Sequence, residues 1–363
     1  MMPIETVSGA ELEIDLAAIV ANWRALGAAH PSGAVAGVVK ADGYGLGAAR
    51  IAPALYEAGC RHFFVAHLSE ALAIRELVPG ALLGVLNGPL PGSEPEYVAA
   101  GIMPVLGSLD DIFRWAAEGR RAGRPLDALL HVDTGMNRLG LDARELATLQ
   151  ADPSLLDGIF LRYVMTHLVS AEAPDDPVNA RQRVAFSRAC EGLPSAPRSL
   201  ANSSGVFLGP DFASELARPG AALYGINPTP GRPNPMHGVV RLRARVLQVR
   251  EIEAGESVGY NGIWTAARPS RIATACVGYA DGWLRAQSGR GHAAFDGAPV
   301  PLVGRVSMDL TTYDATDHPT LHAGDWLELI GPGLPAEQAA LAAGTNGYEI
   351  LTSLGARYAR RYV

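Results

Sequence analysis

The stretch "AVAGVVK" (34–40) reads as a strand that ends on one lysine, Lys40, and the chain then turns glycine-rich in "ADGYGLGA" (41–48). A lysine at the rim end of a strand is fixed in place. Partial loss of its hydration lowers its pKa toward that of an imine former or base. Other reactive side chains close later apolar runs in the same way. Asp133 ends "DALLHVD" (127–133), with Arg138 in the loop beyond, and His167 lies near the end of "FLRYVMTHL" (160–168). Asn202 and Ser203 end "RSLANS" (198–203), and Arg218 is near the end of "SELARPG" (214–220). No cysteine cluster, paired carboxylates or glycine-rich nucleotide loop accompanies them. Taken singly, each has an ordinary reading: a solvated lysine, a packed histidine, an arginine in an ion pair. Tyr279 in "GYADG" (278–282) could likewise be a packed turn residue. What sets the first group apart is that they recur at one structural station.

That station implies a particular scaffold. Apolar runs at 34–40, 62–67, 81–87, 102–107, 127–133, 160–168, 198–203 and 214–220 read as strands. Helical patterns follow most of them: "AARIAPALYEAG", "SEALAIREL" with Ser69 as N-cap, "EPEYVAAG", a Ser-capped "SLDDIFRWAAEGR", "DARELATLQ" and "NARQRVAFSRACEGL". Continuous apolar runs suit parallel strands buried on both faces, so an α/β fold with a (β/α)8 TIM-like barrel is expected. In such barrels reactive groups gather at the C-terminal ends of the strands. Strands seven and eight lack good helices. From about 239 the pattern changes to period two, as in "VVRLRARVLQVREIEAGESVGY" and "DWLELIG". This predicts a barrel over 1–238 and a β-rich C-terminal domain over 239–363. Residues 10–16, "AELEIDL", alternate too and are expected to add a strand to the second domain.

Composition narrows the function. The chain has 363 residues, a net charge of −7, 41 glycines and 26 prolines. The acidic balance argues against a nucleic-acid protein. Three scattered cysteines, Cys60, Cys190 and Cys276, read as reduced structural thiols, and no metal-ligand spacing occurs. The opening "MMPIETVSGAELEIDL" lacks a basic n-region and an apolar h-region, and no apolar run reaches spanning length. A soluble, cytoplasmic protein without membrane contact is expected.

In its motifs the chain resembles the alanine racemases, pyridoxal-phosphate (PLP) enzymes of fold-type III. "VVKADGYGLG", "DTGMNRLG" (133–140), "MTHL" (165–168), "ANSSG" (201–205), "RPGAALYG" (218–225), "VGYADGW" (277–283) and "GRVSMD" (304–309) follow in the family's order across the whole length. The resemblance implies that Lys40 holds PLP through an imine. Tyr44, Ser203 and the backbone N–H groups of Gly220 and Ala221 would cradle its phosphate, with Asn202 beside them. Gly220 also has a physical reason, since backbone must come close to a phosphate. Arg218 would face the pyridine nitrogen as a donor that keeps its proton. The reaction implied is removal of the α-proton of alanine and its return on the opposite face, with Lys40 and Tyr279 as the two bases. A free phenol titrates near pH ~10, so Tyr279 needs positive charge nearby; the resemblance implies His167, linked towards Arg218, as its source. Arg138 and the Met308 backbone N–H would bind the substrate carboxylate, with Asp309 bracing the Met308 loop. The family also implies a head-to-tail homodimer in which the Tyr279 of one chain completes the site of the other, and a role in supplying D-alanine for peptidoglycan.

Two other functions stay open on the residues. One is a racemase of broader range, acting on serine or basic amino acids. The other is a non-catalytic PLP-binding homeostasis protein, a class that lacks the β domain which here carries Tyr279. Three positions depart from the family pattern. Ser307 stands where many relatives have cysteine. Ala356 stands where some have a phosphate-contacting tyrosine, with Tyr358 two residues on. His131 occupies the position of a lysine that is often carbamylated to orient the arginine. Imidazole cannot carry that carbamate, so activity should be unchanged when bicarbonate and carbon dioxide are stripped from the assay. A loss on removal that returns on re-addition would contradict this.

Overall fold

In the computed structural model, residues 8–363 are described; residues 1–7 of the expected first domain lie outside them. The first expected strand is broken. Its halves, β2 (Ala34–Val35) and β3 (Gly37–Val38), face different neighbours. β3 pairs with β4 (His62–Val65), and the sheet continues through β5 (Leu82–Val85), β6 (Met103–Leu106), β7 (Leu126–His131), β8 (Ile159–Met165), β9 (Arg198–Ser199) and β10 (Leu216–Ala217). β10 then pairs with β2, so the parallel barrel of nine segments closes through the two halves of one strand. Its interior is packed by Ala36, Val38, Phe64, Leu82, Val105, Leu129, Met165 and Leu216, which makes it a core rather than a pore.

The helices that follow strands are α2 (Ala48–Glu57), α3 (Leu68–Ile74), α4 (Glu94–Ala100), α5 (Leu109–Ala122), α6 (Ala143–Ala151) and α7 (Pro177–Glu191). Ser108 caps α5 through the Asp111 N–H. Ser69 does not cap α3, whose N-cap is His67; the helix begins before the serine because Glu70 can reach back to the His67 N–H. After β9 and β10 only short 3₁₀ turns follow. A helix absent from the sequence reading, α1 (Leu16–Ala29), precedes the barrel and packs on the 3₁₀ turn after β10. Fully buried Asn22 secures it: its amide donates to Leu223 O (3.2 Å) and His237 O (2.9 Å) and accepts the His237 N–H (2.7 Å).

Beyond the barrel, β11 (Val240–Ile252) runs through the β-rich part. Its first half pairs with β1 (Ala10–Ile14) and β14 (Trp326–Ile330), its second with β12 (Ser270–Ala275), which pairs with β13 (Thr311–Asp314). β1 also lies parallel to β15 (Ala359–Tyr362). Period two explains its place. Ala10, Leu12 and Ile14 are buried, while Glu11 and Glu13 face out to Arg243 (2.8 Å) and Arg361 (2.6 Å) on the two flanking strands. The β-rich part also holds two helices that the sequence reading did not name, α8 (Ala336–Ala343) and α9 (Gly347–Ser353). Because Leu12 is fully buried between distant parts of the chain, Leu12→Ala should cost about 3 kcal/mol of stability, read as a lowered denaturant midpoint at unchanged slope.

Candidate active site

The barrel rim is built around an unusual backbone. Directly after Lys40, Ala41, Asp42, Gly43 and Tyr44 all have φ between 53° and 63°. They form a left-handed turn closed by Gly43 N–H to Val39 O (2.8 Å) and Gly45 N–H to Ala41 O (2.7 Å). For residues with a Cβ this conformation costs roughly 1–2 kcal/mol each. Two carboxylates hold it. Asp42 accepts the Ala48 N–H (2.8 Å), and Glu70 accepts the Ala41 N–H (2.5 Å). The turn separates Lys40 from Tyr44, whose ring stacks on Tyr224 at 4.5 Å.

Tyr44 brings its hydroxyl against Gly220. A Cβ on Gly220 would stand 2.1 Å from that oxygen, so only glycine fits there. Ser203 Oγ accepts the N–H groups of Gly220 (3.0 Å) and Ala222 (3.2 Å), which turns its own proton outward. The Ala221 N–H between them has no acceptor among the described residues. Tyr44, Ser203 and the Ala221 N–H thus form one small cradle of donors; the Gly220 N–H expected beside them is instead committed to Ser203 Oγ. Asn202 serves differently. Its Oδ1 accepts the Gly205 N–H (2.9 Å) and its amide donates to Leu168 O (3.3 Å), so it braces the turn that carries Ser203.

Arg218 follows β10 and is 5% exposed. Its guanidinium donates to Thr166 O (2.5 Å) and to Ser199 Oγ, and among the described residues no carboxylate pairs with it. Burial lowers its pKa to about 10, which leaves it charged at neutral pH. Around it stand Lys40, Arg138, His131 and His167. Burial and the Arg218 and Arg138 guanidiniums, with a further contribution from Lys40, push His167 down to about 3. Burial, then Arg218 and Arg138, push His131 down to about 4 against the opposing Asp133. Lys40 lies below its ordinary value through burial and Arg138, with Glu70 opposing. The rim therefore carries cationic arginines and a lysine beside two neutral imidazoles.

Arg138 rides a tied loop. The Asp133 carboxylate accepts the N–H groups of Gly135, Met136 and Asn137, each at 2.9 Å, and the Leu141 N–H returns to His131 O (2.8 Å). Buried Gln182 of α7 joins Thr134 Oγ1 (3.1 Å) to His167 O (3.0 Å). Tyr279 and Met308 belong to the β-rich part, and among the described residues no hydrogen bond joins them to this group. They sit together on the β-rich part, 43% and 54% exposed, with Tyr279 N–H on Ser307 O (3.0 Å) and Ala280 N–H on Met308 O (2.9 Å). Asp309 ion-pairs with Arg357 (2.8 Å), which also holds buried Asp281 of the tyrosine turn (3.0 Å). Tyr358 is buried in the same part of the chain.

Comparison with known proteins matches this architecture. The family profile "Alanine racemase, N-terminal domain" matches residues 14–228, and "Alanine racemase, C-terminal domain" matches residues 239–362. The chain belongs to the alanine racemase family. An alanine racemase of Acidiphilium cryptum is 59% identical over 96% of this chain and 97% of its own length. A protein of Mesorhizobium japonicum named a catabolic alanine racemase is 52% identical over 99% and 94%. The crystal structure of the alanine racemase from Bartonella henselae, with covalently bound pyridoxal phosphate, superposes with a TM-score of 0.96. It is 43% identical, with 98% of this chain and all of that one covered. Alanine racemases are isomerases, and this chain is an enzyme of that class.

Several site groups of this alanine racemase family member escape a reading by motif. Glu70, Ser199, Gln182 and Arg357 lie outside the motifs and act through long-range bonds, and of these Glu70 leaves a local trace, as the third residue after a helix cap. Thr166, Tyr224 and Asp281 lie inside motifs, but their bonding partners are seen only in the structure. The neutral imidazoles have a measurable consequence. Between the depressed value of about 4 and the ordinary value of 6.5, His131 binds more protons unfolded than folded, so stability falls as pH falls through that window. The denaturant midpoint should be lower at pH 5 than at pH 7.5, and His131→Gln should flatten part of that slope. An unchanged slope in the variant would show that His131 is not held neutral.

Proposed function

We propose that the chain interconverts L- and D-alanine with pyridoxal phosphate as cofactor, in a site shared between two subunits. The observation that carries the cofactor assignment is the donor cradle kept open by Gly220 beside a buried guanidinium with no carboxylate. Phosphate fits the first, because Tyr44, Ser203 and the Ala221 N–H offer protons around a glycine whose Cβ would collide with the Tyr44 hydroxyl. A neutral ring nitrogen fits the second, because Arg218 keeps its proton and can only donate. Lys40 would hold the cofactor covalently, and Arg138 its phenolic oxygen together with the substrate carboxylate. When bound, the cofactor supplies a conjugated ring that spreads the electron pair left when the α-proton departs.

The chain's own groups then manage one proton on two faces. Lys40 Nζ takes or returns it on one face. Its lowered affinity for protons, from burial and Arg138, makes the neutral amine accessible at a lower pH than in a free lysine. Tyr279 of the partner subunit serves the opposite face. A phenol acting as base needs positive charge beside it. With His167 and His131 neutral, that charge comes from Arg218, Arg138 and Lys40. The Met308 N–H, which has no acceptor among the described residues, would meet the substrate carboxylate, with Asp309 holding its loop through Arg357. Arg218, by leaving the ring nitrogen unprotonated, would moderate electron withdrawal and favour return of the proton over side reactions.

What supports a shared site is the exposure of Tyr279 and Met308 on the β-rich part, with no hydrogen bond to the Lys40 cluster among the described residues. We take the two parts to meet near residues 238 and 239, and the dimer to be head to tail. A cytoplasmic location and a supply of D-alanine for peptidoglycan belong to the same reading; among the described residues no helix is long and apolar enough to cross a membrane.

Subunit exchange tests the reading. Lys40→Ala and Tyr279→Phe should each be inactive in an alanine racemisation assay. In a randomly exchanged equal mixture half the dimers are hybrids, and each hybrid has one intact site, so roughly a quarter of wild-type activity should return. A mixture that stays inactive after tagged pull-down has proved exchange rules out the shared site.

A further inference from the structure

Glu70 makes more bonds than helix capping requires. As the third residue of α3 it reaches back to the His67 N–H (3.0 Å) and the Ala66 N–H (2.8 Å) through Oε2. That alone is a capping box. Its other oxygen, Oε1, accepts the N–H of Ala41 at 2.5 Å, across 29 residues of sequence. Ala41 is the residue after Lys40 and the first of the left-handed turn. No other acceptor takes that N–H among the described residues. One carboxylate therefore ties the end of β4, the start of α3 and the first peptide beyond Lys40.

We propose that Glu70 is a positioning residue for Lys40, bracing the strained turn that carries the lysine and placing a carboxylate beside that turn. The inference rests on the reading of Lys40 as the cofactor-binding lysine. The geometry gives it two separable effects. The hydrogen bond to Ala41 sets the direction in which Lys40 and Tyr44 diverge. The charge acts on the amine itself. The groups facing Lys40 are Arg138 from the loop after β7, His167 from beyond β8, and Glu70 from α3. Asp42, on the lysine's own turn, has one oxygen on the Ala48 N–H. Arg138 and burial drive Lys40 toward the neutral amine, and Glu70 works against them. Loss of its charge leaves Lys40 neutral at lower pH.

The test uses the full-length protein stripped of cofactor with hydroxylamine, then mixed with pyridoxal 5′-phosphate. Capture of the aldehyde needs the neutral amine: Nζ adds to the aldehyde carbon, a C–N bond forms, and the carbonyl oxygen leaves as water. The capture rate is followed by absorbance against pH, and the affinity by equilibrium titration. In Glu70→Gln the pH of half-maximal rate should fall by about one unit, the size expected for loss of a nearby charge. Affinity should fall about tenfold, as for loss of a charge-assisted hydrogen bond. Glu70→Asp keeps the charge but not the reach. It should keep the wild-type pH curve and lose affinity. Ser108→Ala, which removes the cap of α5, serves as the control for a purely structural loss and should leave both readings alone. A Glu70→Gln protein that melts cooperatively yet keeps the wild-type pH curve would overturn the proposal. If that variant does not fold, wild-type affinity in Glu70→Asp overturns it instead. Capture by Lys40→Ala at the wild-type rate would defeat the assignment of Lys40 itself, a separate failure.

Discussion

Everything at the barrel rim depends on how the first strand is spent. Its two halves bond to different neighbours, so one short segment closes the barrel and still ends at the rim. The left-handed turn that follows is the strained element. It sends the lysine one way and the tyrosine, four residues later, toward Gly220. A right-handed turn there would align the side chains at positions i and i+4 along one face and leave the cradle without its phenol. The strain is held locally by Asp42 and Glu70 and from the other side by α9, against which Gly45 packs so closely that a Cβ would stand 2.5 Å from Leu351 O.

The second constraint is electrostatic. A buried guanidinium with no carboxylate partner among the described residues is unfavourable by itself, and it depresses both His131 and His167. The same imbalance suits a ligand that brings a phosphate and a carboxylate. Neutral histidines then add bulk to the site rather than charge. The positive potential there resides in Arg218, Arg138 and Lys40.

The barrel and the residues at its strand ends were legible because both follow from local pattern. Apolar runs mark the strands, and a polar residue closing such a run marks the rim. Boundaries were less legible. The strand over 34–40 contained a break at Ala36 that no periodicity reveals, since the residue is apolar and buried like its neighbours. α1 went unread because its role, covering the barrel beside the last strand, depends on Asn22 meeting carbonyls more than 200 residues away. α8 and α9 were hidden by the alanine-rich, weakly patterned sequence around them. Arg357 could not be found at all from sequence, because its importance lies in bridging Asp281 and Asp309, which belong to separate motifs. Asn202 shows the opposite case: the motif marks the residue, and only the structure tells that its amide is committed to backbone.

The pairing of β1 has a consequence for how the molecule is made. Residues 10–14 are made before any barrel strand, yet their partners are at 240–244 and 359–362. Most barrel strands pair with the next one in sequence, and the closing pair, 34–35 with 216–217, needs nothing beyond residue 217, so the barrel can close while synthesis continues. The sheet around the 10–14 strand cannot be completed until residues 359–362 are translated. Birth order thus separates two parts of the molecule: the rim that carries Lys40 can form on the nascent chain, whereas the sheet of the part that carries Tyr279 is completed only after residues 359–362 emerge.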